Sequence, residues 1–224
     1  MCRTTFIKHF QTNSITPSII KYQMKKKLSI YISLIFSWIC LNSNAQNFDI
    51  DLLRKIHTPT PLKSDNFFKF TSQTVTPICI ALPLTYFSIG LSEKNKSLKE
   101  NINFQNGITS SICILSSGLI SYTFKFAIKR DRPFITYPDI VPKMYVGTHS
   151  FPSGHTTFAF ATATSIALIN KKWYFTVPAF VWAFGVGYSR MHVGVHYPSD
   201  VLCGALIGTG TSFLMYHVSQ KLFK

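Results

Sequence analysis

Apolar residues along this chain gather in runs instead of alternating singly. Leu28–Leu41 is the first, 14 residues long, and a mixed polar stretch with Pro59 and Pro61 occupies 46–66. Runs then recur at Phe67–Leu91, about Phe104–Phe124, Thr156–Ile169, Trp173–Tyr188 and about Val201–Val218. Strands seldom exceed about 10 residues, so runs of this length predict helices. Pro77 and Pro83 interrupt the Phe67–Leu91 run, and a membrane helix tolerates them better than a soluble one. The Ala-Thr-Ala-Thr-Ser stretch within Thr156–Ile169 and the Gly204, Gly208 and Gly210 series are the small residues that helix contacts in a bilayer favour. No internal repeat or low-complexity tract is present. The pattern predicts an all-α integral membrane bundle of about five to six transmembrane helices. Several runs are short enough to read instead as buried helices of a soluble bundle, so charge placement serves as an independent check.

Composition narrows the class. Of 224 residues, 14% are charged, against roughly 25% in an ordinary soluble domain. With 46% hydrophobic residues and 20 Phe, intrinsic disorder is excluded. Lys and Arg number 23 against 8 Asp and Glu, a formal charge of +15. Such a balance leaves nucleic-acid binding or a membrane protein that handles anions. Met24-Lys25-Lys26-Lys27, the apolar run, and Asn42–Gln46 with a cut after Ala45 form a secretory signal pattern. The run is short for a span of about 20 residues. The alternative is an uncleaved first transmembrane helix, and Met24 offers a second start. Residues 1–45 are thus expected to be a leader (signal or helix at 24–45) and 46–66 an extramembrane segment. Removing the leader leaves 17 bases and 8 acids, or +9, so the basic excess survives. Cys79, Cys113 and Cys203 stand singly in apolar stretches and read as buried thiols, neither a disulfide framework nor a zinc site.

The placement of charge then separates two faces. Glu93–Glu100, Lys171-Lys172, and Lys221 with Lys224 fall on the side of Lys25–Lys27 if the runs cross alternately, as the positive-inside rule requires. The opposite face carries 46–66, the 125–154 loop and the 189–199 loop. It too is rich in Lys and Arg, against the usual bias, which asks for a functional reason.

Three groups converge there, each at the end of an apolar run. They are Lys125–Pro133, Ser150–His155, and Ser189–Asp200. Lys125 and Arg132 are seven apart, which is two helical turns and thus one face. Arg offers a planar fork to phosphate and Lys a point charge. Ser153 is a candidate N-cap and Gly154 lets an anion approach backbone N–H groups at a helix start. His155 is a proton donor beside that anion. His196 and Asp200, four apart after the candidate N-cap Ser199, form a couple in which the carboxylate accepts Nδ1–H and frees Nε2 as nucleophile. Arg190 adds a third cation. Such a set suits phosphoryl transfer without a metal. Lys129, Arg130 and Lys143 read as interfacial anchors. His149, His192 and His217 read as capping or surface residues, with pocket lining the alternative for His192. Nucleic-acid binding is disfavoured, because no basic run is interleaved with exposed aromatics.

Read as K-x6-RP, PSGH and SR-x5-H-x3-D, these three groups resemble the three-part signature of the type-2 phosphatidate phosphatase superfamily, which includes bacterial acid phosphatases and vanadium haloperoxidases. Every signature position is filled, over a domain of about 67–218. The resemblance implies an all-helical core with the motifs in one pocket. It implies attack on phosphorus by His196 to form a phosphohistidine, with Asp200 orienting it. His155 would protonate the leaving oxygen and activate water. Lys125, Arg132, Arg190, Ser153 and Gly154 would bind the phosphoryl oxygens, with no metal and no cofactor. Repeated membrane-length runs favour the lipid-phosphatase branch, acting on undecaprenyl pyrophosphate, phosphatidylglycerophosphate, phosphatidate or lipid A phosphates at the outer face of a bacterial inner membrane. A haloperoxidase, a non-specific acid phosphatase of the same superfamily, and a non-catalytic protein binding anionic lipid heads are the alternatives. The third would need the cations but not His155 or the His196–Asp200 couple. The topology predicts that a reporter fused near Lys171 reads as cytoplasmic and one near Lys143 as external; the reverse pattern contradicts it.

Overall fold

A computed structural model describes residues 43–93, 97, 100–147 and 149–223, with side chains from Asn47 onward. The expected leader up to residue 42 and most of the basic 94–99 loop lie outside the described residues. All regular structure among the described residues is helical: α1 (Ser43–Ile56), α2 (Asp65–Gln73), α3 (Val75–Ser92), α4 (Ile102–Ile128), α5 (Pro133–Thr136), α6 (Gly154–Asn170), α7 (Trp173–His192) and α8 (Pro198–Leu222). The bundle expected from the apolar runs is therefore present, and one compact unit begins at Asn47. Residues 47–66 pack into that unit.

The Phe67–Leu91 run divides into α2 and α3 at Thr74, whose backbone stays in the helical region. Pro77 falls in the first turn of α3, where an N–H would have no intrahelical partner anyway. Asp65–Ser92, Ile102–Thr136 and Pro198–Leu222 are long and apolar enough to cross a membrane. Their outward faces carry large apolar side chains such as Leu119, 71% exposed, with Leu115 and Leu206 likewise exposed. An apolar surface of this extent is stable only against lipid or another apolar partner.

Small residues make up most of the central helix's buried face, with Phe160 the large exception. α6 lies at the centre, packed on α3, α4, α7 and α8, and buries Thr156, Thr157, Ala159, Ala161, Thr162, Ala163, Thr164 and Ser165. The α6–α8 contact is backbone-close. A Cβ at Gly208 would lie 2.3 Å from the Thr157 carbonyl oxygen, and one at Gly204 2.7 Å from that of Ser153. Most hydroxyls buried here satisfy themselves locally, as Ser165 Oγ–H does on the Ala161 carbonyl at 2.8 Å, or across helices, as Thr109 does with Ser219 at 3.1 Å; Thr164 Oγ1 has no partner among the described residues. Close packing of α6 on α8 fixes their amino ends side by side. The carboxyl ends of α4 and α7 meet the same end of the bundle.

Candidate active site

The amino end of α8 and the turn before it place the imidazole–carboxylate pair. α7 ends at His192, and a tight turn follows in which Gly194 adopts a left-handed φ of +74°. A side chain there would also strike the His57 ring, 2.9 Å from an added Cβ, so Gly is required twice over. The turn delivers His196, and α8 starts at Pro198 with Tyr197 as its N-cap. Ser199 is therefore not the N-cap expected of it: it lies inside the first turn, and the Asp200 carboxylate accepts the Tyr197 N–H at 3.0 Å. Asp200 Oδ2 lies 3.5 Å from His196 Nδ1. Ser150 Oγ sits between them, 3.4 Å from Nδ1 and donating to the same carboxylate oxygen at 2.5 Å. The expected couple thus closes at long range directly and through Ser150, a contribution unread in the sequence.

A cavity of about 450 Å³ opens in front of His196. Lys125, Arg132, Gly154, His155 and Arg190 line it with His196, so six of the eight residues singled out in the sequence face one space. Ser153 and Asp200 stand behind it, fully buried. Ser153 occupies the N-cap position of α6, yet its hydroxyl pairs with Thr156 Oγ1 at 2.9 Å instead of a backbone N–H. Gly154 is open on the cavity side, since a Cβ there would meet nothing within 4 Å. The unpaired first-turn N–H groups of a helix and its positive end favour an anion at such a place.

The cations arrive by separate routes. α4 stops at Ile128 and Lys129 turns left-handed at φ 51°, so Lys125 and Arg132 do not share a continuous helix face as their spacing suggested. Lys125 Nζ donates to the His149 carbonyl at 2.6 Å. Arg132 donates to the carbonyls of Gly147 and Val195 at 2.9 and 2.8 Å, and its Nη1 lies 3.4 Å from His196 Nε2. Arg190, 1% exposed, donates from Nη1 to Ser72 Oγ and to Met144 Sδ. Its buried Nε has no hydrogen-bond partner among the described residues. Three cations around one cavity, one with an unspent donor, form a site that an oxyanion would stabilise. Val75, Thr76 and Phe158 also line a second, apolar cavity of about 410 Å³ between α3, α4 and α6, with Ile80, Leu84 and Leu115.

Residues set aside as anchors have structural partners. Arg130 donates to Asp200 Oδ1 at 2.7 Å and to Asp49 Oδ2 at 2.8 Å, so it belongs to the site and not to the interface. Lys143 Nζ donates to Asp65 Oδ1 at 2.8 Å, and His192 Nε2 lies 2.8 Å from that same oxygen. His192 is consequently buried behind the cavity and does not line it. His217 stacks on Phe213 and Tyr216. Among the described residues, no three or more His, Cys, Asp or Glu gather as a metal site.

Comparison with known proteins identifies the family. The sequence profile of the family described as PAP2 superfamily matches residues 107–224, just over half of the chain. The chain belongs to the PAP2 superfamily. It is 32% identical over 115 residues to the undecaprenyl-diphosphatase of Sulfolobus acidocaldarius, covering 51% of this chain and 55% of that protein. To the lipid A 4'-phosphatase of Bacteroides thetaiotaomicron it is 34% identical over 76 residues, 34% of either chain. The chain thus spans about half the length, or less, of these curated relatives. The transmembrane PAP2 type phosphatidylglycerolphosphate phosphatase of Bacillus subtilis shares the fold, with a TM-score of 0.67 at 21% identity over 87% of this chain and 96% of that one. The PAP2 chain described here is a membrane protein of the same all-helical architecture.

The electrostatics of the PAP2 site favour a neutral ring. Burial, then the charges of Arg190 and Arg132, hold the His196 imidazole down at about 3, against the opposing pull of Asp200. A lowered value means that the neutral form, with a free Nε2 lone pair, persists well below the ordinary histidine value of about 6.5. Titration of 15N-labelled protein, with His196→Gln to assign the signal, should show no His196 midpoint above about pH 5; a midpoint near 6.5 would contradict this electrostatic picture.

Proposed function

We propose that this protein is a membrane phosphatase that hydrolyses a lipid phosphate or pyrophosphate by way of a phosphohistidine. One observation carries the reading: Lys125, Arg132, Arg190, Gly154, His155 and His196 line a single cavity, which adjoins an apolar one between α3, α4 and α6. The polar cavity suits a phosphoryl group and the apolar cavity a hydrocarbon tail, a combination that a water-soluble phosphate ester would not use.

In the proposed reaction His196 Nε2 attacks phosphorus while the bond to the leaving oxygen breaks. Asp200 and Ser150 hold Nδ1 and favour the charge that develops on the ring. The bound phosphoryl anion favours a proton on His155, which gives it to the leaving oxygen and then takes one from water as that water attacks the phosphohistidine. The N–P bond breaks and inorganic phosphate departs. Lys125, Arg132, Arg190 and the first turn of α6 hold the equatorial oxygens as charge spreads over them. These fixed cations supply the charge stabilisation, so the proposed steps need no metal. The positive-inside reading of the short loops supports an external site, on the periplasmic side of a bacterial inner membrane. The curated relatives are named for undecaprenyl diphosphate and lipid A phosphate; those two, phosphatidylglycerophosphate and phosphatidate form the candidate set.

Phosphate release from that panel in detergent with EDTA present tests the proposal. The wild-type protein should turn over at least one lipid, and His196→Ala should lower the rate on the order of 10³-fold or more. Activity abolished by chelation, or retained in His196→Ala, would sink it.

A further inference from the structure

The described residues upstream of the family match contribute a carboxylate to the site. α1 buries Ile50 and Leu53 in a cluster with Ile140 and Tyr197, and this docking brings Asp49 to the first turn of α8. Asp49 is 5% exposed. Its Oδ1 accepts the Ser199 N–H at 2.8 Å and its Oδ2 accepts the Ser199 hydroxyl at 2.5 Å. A carboxylate from a different helix thus satisfies a first-turn N–H that α8 cannot pair itself, at the positive end of the helix.

Arg130 completes the link. Its Nη2 donates to Asp49 Oδ2 at 2.8 Å, while its Nη1 donates to Asp200 Oδ1 and to Ser199 Oγ, both at 2.7 Å. The guanidinium lies 3.9 Å from the centroid of the Tyr197 ring, which fixes its plane. With Oδ1 of Asp200 held by Arg130, Oδ2 is the oxygen left to serve the Tyr197 N–H, Ser150 and the His196 ring. A lysine cannot make both contacts, because only a planar fork reaches two carboxylates in fixed directions.

We infer that Asp49 and Arg130 are positioning residues: α1 sets the rotation of the Asp200 carboxylate through Arg130, and thereby the orientation of His196. The inference deepens the proposed reaction, since it assigns a further pair to the same site. Neither residue faces the cavity. The charged and titratable groups around the His196 ring itself are Asp200, Arg132 and Arg190, with Lys125 and His155 on the same cavity wall.

The test uses the full chain in detergent, with two readouts on Asp49→Asn, Arg130→Lys and their combination. The first is kcat and KM on whichever lipid the wild-type protein turns over. Each single variant should lower kcat about 10- to 100-fold with KM within about two-fold, as loss of a supporting partner does. The double variant should be no worse than the poorer single, because both act along one path. The second readout is the pair of 15N shifts of the His196 ring, which should move in both single variants. Arg54→Gln, which removes the outer ion pairs with Asp51 and Asp139 and the contact with the Tyr137 ring but leaves Asp49 and Arg130 in place, should leave kcat and the ring signals at wild-type values. If Asp49→Asn does not fold, Asp49→Glu replaces it with the same expected direction. Unchanged ring signals, additive losses, or an Arg54→Gln defect equal to that of Asp49→Asn would overturn the inference. A wild-type protein that releases no phosphate would refute the proposed reaction instead, while the ring signals would still decide the positioning role.

Discussion

A buried carboxylate next to an imidazole is stable only when donors surround it, and Asp200 has a donor on each oxygen. Oδ1 takes the Arg130 guanidinium, and Oδ2 takes the Tyr197 N–H and the Ser150 hydroxyl. Its own backbone carbonyl accepts the Ser153 N–H at 3.0 Å, tying the start of α8 to the start of α6. Those donors come from four parts of the chain: the α4–α5 connection, the Ser150 segment, the N-cap of α6 and the turn into α8. The arrangement is therefore a consequence of the whole bundle. Removing one partner would leave a charge buried with an unmet lone pair, which costs more than the contact itself contributes.

The bundle can deliver these parts because its helices approach so closely. α6 and α8 meet mainly through glycine and small hydroxyl or methyl side chains, and many of the bulky residues of the bundle face outward. In a soluble protein this distribution would be inverted. In a membrane, tails solvate the outer residues and backbone proximity supplies the interior contacts. The same arrangement leaves a polar cavity at one end, walled by cations, directly beside an apolar one. Concentrated positive charge of this kind is costly without an anion.

Much of this was legible in the sequence. The apolar runs located the long helices, and the three motif groups located six residues that line one cavity, because each group is local and stands at a helix end. Helical spacing misled only where the helix stopped: Lys125 and Arg132 converge through a turn after Ile128 and not along one face. Long-range partners were not legible. Arg130 pairs with Asp49 across 81 positions and Lys143 with Asp65 across 78, and nothing local distinguishes such bases from the anchoring Lys and Arg of any membrane helix end. Ser150 was hidden for the same reason, as an ordinary Ser whose role exists only once Asp200, 50 residues on, is beside it.

Phosphoryl transfer here depends on His196 Nε2 as the nucleophile. Its most direct measurement is mass spectrometry of protein denatured by rapid alkaline quench during turnover of a lipid phosphate labelled at phosphorus. Label should appear on His196, stable to base and lost in acid. Turnover in which label never appears on the protein, or appears on another residue, would contradict it.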